Sequence, residues 1–431
     1  AAGECIKVTL YNGLGEGALD DTDAFNVVPM VMERFNLNEV HVSSEVGLHP
    51  QLVTYDVATD EGVNAGFNVS HWQKRTVAPG DAPVTYKWYA GEVKVVKNPG
   101  GDKPFKLEAI PIEFGATNLV SPDPLEHSAK GLIASLIIEP AGSTWKTDQE
   151  RCYPFATGKG KNGGVQAPDA DCYNAGGEIV YRNSRSAATI CDGLCKEDGT
   201  NILFREMVLN FQDDVQLRDA NGNPVCPIVG ADEDATPDAN GAFECGGPED
   251  PEDSGNKAVN YKTEPAWFRM GHDPGAPLTH TRQIDFTNLL SNNLLGADLL
   301  KNPIGDPETP ILTAKAGQEV RFRVLESGGH PRNHVFAVNG HLWQKTPHQN
   351  ATEDNAGTWG VDESSIGSEW IGDNPNSEHY GTQAGHGPQN HFDMVLQKAG
   401  GANGVTGDYL WRNQASFQFD AGHWGLLRVI D

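Results

Sequence analysis

His330, His334 and His341 fall within twelve positions in the stretch Gly328–Gln344, GGHPRNHVFAVNGHLWQ, and are the residues of this chain best spaced to share a ligand. A neutral imidazole suits copper or zinc, and near neutral pH it can gain or lose a proton. His391 and His423 add two further imidazoles. The candidate ligands of a mononuclear site are therefore His330, His334, His341, His391 and His423, with His379 and His386 on an adjacent glycine-rich loop. The plainer alternative is that each is hydrogen-bonded to backbone or to a carboxylate such as Asp393 or Asp420. His49 and His127 are a thinner pair in the N-terminal part, where His127 follows Glu126 and could bond to it without any metal.

A second chemistry is offered by the acidic segment 219–255, which contains DANGNP, ADEDATPDANG and GPEDPEDSG. Alternating Asp and Asn before glycine presents hard oxygen ligands, so Asp219, Asn221 and Asn223, or Asp238 and Asn240, are candidate calcium ligands. No glutamate follows at EF-hand spacing, and a solvated acidic loop explains the same residues. Glu264 and Arg269 are read as a structural pair at an interface rather than as an acid–base couple. A zinc site built on cysteine lacks any C-x2-C pair.

The elements that must position these groups read as strands. His334–Val338 alternates with period two, Pro331 forces a turn before it, and Asn339-Gly340 suits a hairpin turn leading into a second strand. Short strands with turn signals between them are predicted over Ile6–Tyr11, His49–Val57, Thr85–Tyr89, Glu92–Val96, Lys106–Ile112 and Leu132–Ile138. A second strand-rich block opens at Ile202–Leu217 and resumes from Pro310. That spacing argues for antiparallel sandwiches or barrels. Helix signals are confined to Phe286–Leu300 and Phe25–Phe35. The predicted organisation is a domain over 1–145, a cysteine-stapled linker over 146–200, and a domain over 201–431 carrying the acidic insertion 219–255.

Composition narrows the partners. With 59 acidic against 32 basic residues the formal charge is −27, which repels nucleic acid and anionic membranes. No apolar run reaches the roughly 18 residues needed to span a bilayer. Six of the seven cysteines lie in Gly- and Asp-rich segments, which points to disulfides and an extracytoplasmic, oxidising setting. By proximity the pairs are Cys152 with Cys172, Cys191 with Cys195, and Cys226 with Cys245, leaving Cys5 over; sequence alone does not fix the connectivity. Two sequons, Asn68-Val-Ser70 and Asn350-Ala-Thr352, fit exposed loops.

Several phrases together resemble the multicopper oxidases. They are Val77-Ala-Pro-Gly80 with Thr85-Tyr86-Lys-Trp88, Gly131 to Pro140 (GLIASLIIEP), Ala316 to Val324 (AGQEVRFRV), the His334–His341 segment and Phe419 to Val429 (FDAGHWGLLRV). The resemblance implies a mainly β fold of two Greek-key cupredoxin-like sandwich domains, and copper as the cofactor. It also implies a cysteine thiolate, which this chain lacks after Cys245, and paired HxH motifs. Only His49 stands where the first histidine pair belongs, and Ser121 and Asp123 replace the second, with His127 nearby. His334 matches a mononuclear-site histidine, while Ala337 and Asn339 stand where cluster histidines would be. Arg412, Asn413 and Gln414 replace the final histidine–cysteine–histidine run, and His423 falls near the place of the weak axial ligand.

These gaps imply an extracytoplasmic multicopper-oxidase-like protein, degenerate for oxygen reduction, that acts as a binding or assembly module. The alternatives are a copper-binding redox protein with one all-histidine site, and an oxidase completed by ligands from another chain. The C-terminal unit opens with a strand, Thr309–Ala314, that has no counterpart before Cys5. This predicts a strand supplied by a longer precursor or by a neighbouring chain, hence a homo- or hetero-oligomer, with a partner for Cys5 in the missing part.

Overall fold

The computed structural model describes residues 1–15, 43–68, 74–123, 126–129, 131–151, 181–215, 217–218, 224–225, 256–269, 287–292, 306–328, 334–349, 369–374, 376–414 and 421–431. As the period-two patterns predict, these residues are mainly β. The N-terminal block holds β1 (Cys5–Leu10), β2 (His49–Pro50), β3 (Val84–Tyr89), β4 (Gly91–Lys97), β5 (Phe105–Pro111), β6 (Gly115–Val120) and β7 (Ala134–Ile138). Next come β8 (Ser143–Arg151), β9 (Tyr181–Asp192), β10 (Ile202–Val215), β11 (Leu217–Arg218), β12 (Pro224–Val225) and β13 (Asn256–Val259). The chain then runs through β14 (Ile311–Lys315), β15 (Val320–Glu326), β16 (His334–Val338), β17 (Trp343–Gln344), β18 (His348–Gln349), β19 (Trp370–Ile371) and β20 (His379–Tyr380). It closes with β21 (Thr382–His386), β22 (His391–Leu396), β23 (Gly407–Asn413) and β24 (Trp424–Ile430).

Two sheets make the C-terminal sandwich. One runs β22-β15-β10-β9-β8 with β13 beside β10; the other runs β14-β24-β23-β16-β21. Because alternate residues of a strand face opposite ways, Met207, Leu209 and Phe211 of β10, Phe322 and Val324 of β15, Phe336 and Val338 of β16, and Trp411 of β23 meet in one buried core. The smaller N-terminal block packs Tyr86, Trp88, Leu119 and Ile138 into a core of its own.

The outward face of β15 and β22 is covered by the N-terminal block. All six residues of β6 are buried as a result. Arg323, fully buried, bonds Glu206 (3.0 Å), Asp393 (2.9 Å) and Glu139 (2.9 Å), and Arg321 reaches Glu113 at 2.7 Å. Glu113 and Glu139 come from the N-terminal block, so the junction is ionic. Gly115, at φ +66°, lets the Ala116 N–H approach and donate to Asp393.

Several expectations change here. The segment 146–200, read as a stapled linker, contains β9 and most of β8, which extend the C-terminal sheet. β8 is the edge strand and exposes a face on which Trp145 lies open to solvent, while β9 lies between β8 and β10 with Ala187, Ala188 and Ile190 buried. The turn at Asn339-Gly340 forms with Gly340 at φ +73°, but no hairpin follows: β16 pairs β21 and β23, while β17 pairs β20. The strand predicted over His49–Val57 is only β2. Of Phe286–Leu300, residues 287–290 form a turn that continues into 291–292 without helix, and the rest lies outside the described residues, as does Phe25–Phe35. Cys191–Cys195 is a disulfide and Cys5 a free, exposed thiol, while the other four cysteines lie outside the described residues. No helix among the described residues is long and apolar enough to cross a membrane.

Candidate functional site

At one end of the C-terminal sandwich the inward-facing rows turn from apolar to polar together. One inward step beyond Phe211 is Asp213; beyond Val324, Glu326; beyond Phe336, His334; beyond Trp411, Asn413; and beside Val259, Lys257. His423 joins them from the turn before β24. All six side chains are buried.

His334 Nε2 lies 3.0 Å from Glu326 Oε1 and 3.6 Å from Asp213 Oδ2, and the Lys257 ammonium pairs with Asp213. On the other edge of the ring, Asn413 Nδ2 donates to His334 Nδ1 at 3.0 Å and to His423 Nδ1 at 2.9 Å. His423 Nε2 donates in turn to the Gln212 carbonyl at 3.0 Å. Its ring stands edge-on to Phe211, with centroids 4.8 Å apart. Gly422, at φ +131°, sets this geometry, since a Cβ there would overlap the Lys257 carbonyl and the Thr263 hydroxyl.

The electrostatics follow from burial and charge. Burial alone would raise the Asp213 carboxyl, but Lys257, with His334 and His423, holds it far below the usual carboxylate range. Burial pushes Glu326 up to about 7 despite its bond to His334. For His334 the same burial is outweighed by Asp213 and Glu326, which raise it to about 9. His423, buried and next to His334, falls to about 3 and stays neutral. A His334 imidazolium carries a proton on Nδ1. The bond that His334 accepts from Asn413 Nδ2 is therefore that of the neutral ring.

No family model matches the chain, and no curated protein matches it. Among solved structures it is similar to a multicopper oxidase, with 11% identity, 90% of this chain and 70% of that one covered, and a TM-score of 0.38. It is similar to the blue copper oxidase of Nitrosomonas europaea at 10% identity, covering 89% and 69%, with a TM-score of 0.34. It is similar to the copper nitrite reductase of the same organism at 11% identity, covering 100% and 81%, with a TM-score of 0.39. At these values none of the three assigns the chain a family or a function.

Of the sequence candidates, the structure brings His334 and His423 together. His341 lies elsewhere, its Nδ1 bonded to the Asn339 carbonyl and its Nε2 accepting from the Gly400 N–H. His391 opposes Leu325, on the face of the β15–β22 sheet that carries Arg323 and Asp393, so the sheet itself separates it from His334. His127 bonds Ser121 Oγ and the Ser43 carbonyl, and His49 bonds the Glu61 carbonyl; they share no partner. His330, Asp420 and the calcium candidates Asp219, Asn221, Asn223, Asp238 and Asn240 lie outside the described residues. Glu264 and Arg269 form a buried pair at 2.8 Å that ties residues 264–269 to the 287–292 turn and to Trp424.

Asp213, Glu326 and Lys257 escape a reading by motif. Their signal is a charged residue in an inward row, as in Val320-Arg-Phe-Arg-Val-Leu-Glu326, where Glu326 shares a face with Phe322 and Val324.

The donor set can be tested against a metal on this geometry. A thiolate-bound copper needs sulfur between the two Nδ1 atoms, and an amide stands there instead. The ligand atoms of Asp213, Glu326 and His334 lie within 4.8 Å of one another, but an ion on them would abut the Lys257 ammonium in a fully buried space. Among the described residues, this donor set does not fit a thiolate-bound copper.

Proposed function

We propose that this chain is an extracytoplasmic, cupredoxin-like protein in which hydrogen bonds and fixed charges fill the position of a mononuclear copper. On this reading it works as a binding or assembly module and not as an oxygen-reducing enzyme. The observation that supports this is Asn413, whose amide bridges His334 Nδ1 and His423 Nδ1 at hydrogen-bond distance. Lys257 supports it from the other side by supplying the cluster with a positive charge of its own. The disulfide Cys191–Cys195 supports the oxidising compartment.

The test is metal content. Protein produced with excess copper and then dialysed is expected to retain none in stoichiometric amount and to show no thiolate-to-copper absorption; one tightly held copper per chain would overturn the reading. Asn413→Cys is the complementary arm. If the amide stands in the copper position, this variant is expected to take up one copper and turn intensely coloured. Failure of the correctly folded variant to do so would remove the equivalence.

A further inference from the structure

β4 and β5 form a two-stranded sheet that pairs with no other described strand. Their register sets Val93 opposite Ala109, Val95 opposite Leu107 and Lys97 opposite Phe105, so one face of the hairpin is almost wholly apolar. That face is open to solvent: Val95 is 68% exposed and Leu107 72%. Six of the seven residues of β5 are exposed, on both faces of the strand. An open, apolar edge of this length is what folded proteins normally cover.

The hydrogen bonds show which backbone groups that edge offers. Asn98 N–H donates to the Pro104 carbonyl (2.9 Å) and Ile112 N–H to the Ala90 carbonyl (3.4 Å), which makes 98/104 and 90/112 hydrogen-bonded pairs. Since such pairs alternate in an antiparallel ladder, Lys106, Glu108 and Ile110 turn their main-chain groups toward β4. Phe105, Leu107 and Ala109 therefore turn theirs outward.

We propose that β5 is a self-association edge, and that its partner is β5 of a second copy of this chain, antiparallel about a two-fold axis at Leu107. The sequence is self-complementary about that residue. The axis sets Leu107 against Leu107, pairs the outward groups of Phe105 with those of Ala109, and places Lys106 beside Glu108 of the other copy. Bulk meets a small side chain, and positive charge meets negative, twice. A shift of the axis to Phe105 or Ala109 keeps the backbone pairing but loses the charge match. The edge of β4 is less suited, because Glu92 and Lys94 already pair with one another at 3.1 Å. The result is a four-stranded sheet in which the two apolar faces become continuous. This inference is independent of the metal content of the protein.

Sedimentation equilibrium of the whole chain tests it. The wild type is expected to be a reversible dimer. Lys106→Glu and Glu108→Lys each set like charges side by side twice, and each is expected to weaken association at least about tenfold. An equimolar mixture of the two variants, and the double variant Lys106→Glu/Glu108→Lys, are both expected to regain it. Circular dichroism is expected to be unchanged throughout, because both side chains are exposed. A chain that stays monomeric at high concentration overturns the proposal. So does a dimer that ignores both single substitutions, or one that the charge swap fails to restore.

Discussion

His334 is held between two carboxylates on one edge of its ring and an amide on the other, and its titration follows from that placement. Its pKa is raised in the folded state to about 9 from the ordinary 6.5. A raised histidine contributes stability that is fully present below 6.5 and is lost as pH rises through about 9. Glu326, raised to about 7 from 4.5, loses its contribution as pH rises through that lower window, and His423, held down at about 3, contributes fully above 6.5, so neither produces a marked slope between pH 8 and 9. Stability by urea denaturation is therefore expected to fall by about 1 kcal/mol between pH 8 and 9, the ring being half titrated at the upper end. His334→Gln is expected to flatten that slope, and a slope unchanged by the substitution would place the proton elsewhere. His334, Asn413 and His423 could be named from sequence because resemblance marks positions. Asp213 and Lys257 could not, since they reach His334 only through the pairing of β10 with β13 and β15.

At the scale of elements, the site is made by strand parity. Each polar group continues a row of core residues, so the cluster exists because β10, β13, β15, β16 and β23 all end their apolar rows at the same depth. Period-two patterning made these strands legible, but not their neighbours. β16 was expected to turn back on the strand after Gly340 and instead lies between β21 and β23. β8 and β9 were illegible for a related reason: β8, at the sheet edge, is polar on both faces but for Trp145, and β9 buries Ala187 and Ala188 on opposite faces, so neither alternates. Gly422 is the hinge of the arrangement. Gly422→Ala forces a side chain against the Lys257 carbonyl at a φ that L-residues seldom adopt, and it is expected to destabilise the fold by about 3 kcal/mol and to displace His423. Chemical denaturation and the imidazole resonances of the variant check both effects; an unperturbed His423 resonance would show that the turn does not set the ring.

Across the whole molecule the two blocks are joined through Arg323 and its three carboxylates. Burial and the neighbouring Glu139 hold Glu206 well above the ordinary carboxylate range, which marks a site already crowded with negative charge. Removing the guanidinium leaves that charge uncompensated. Arg323→Met is expected to cost about 3–5 kcal/mol and to expose the junction between β7 and β8 to protease. Arg323→Lys is expected to recover only part, because an ammonium lacks the planar fork that reaches three acids at once. A loss under about 1 kcal/mol would mean that apolar packing, not this cluster, holds the blocks together. The net charge of −27 gave no hint of so buried a cationic centre, since composition does not distinguish inside from outside. Lys257 has a consequence of another kind. On the function proposed above, a core whose positive charge is encoded in the polypeptide needs no delivery step, no loading order and no supply from its surroundings, and it closes as soon as the chain folds. The yield and melting temperature of this protein should therefore be the same whether the producing cell is starved of copper or flooded with it.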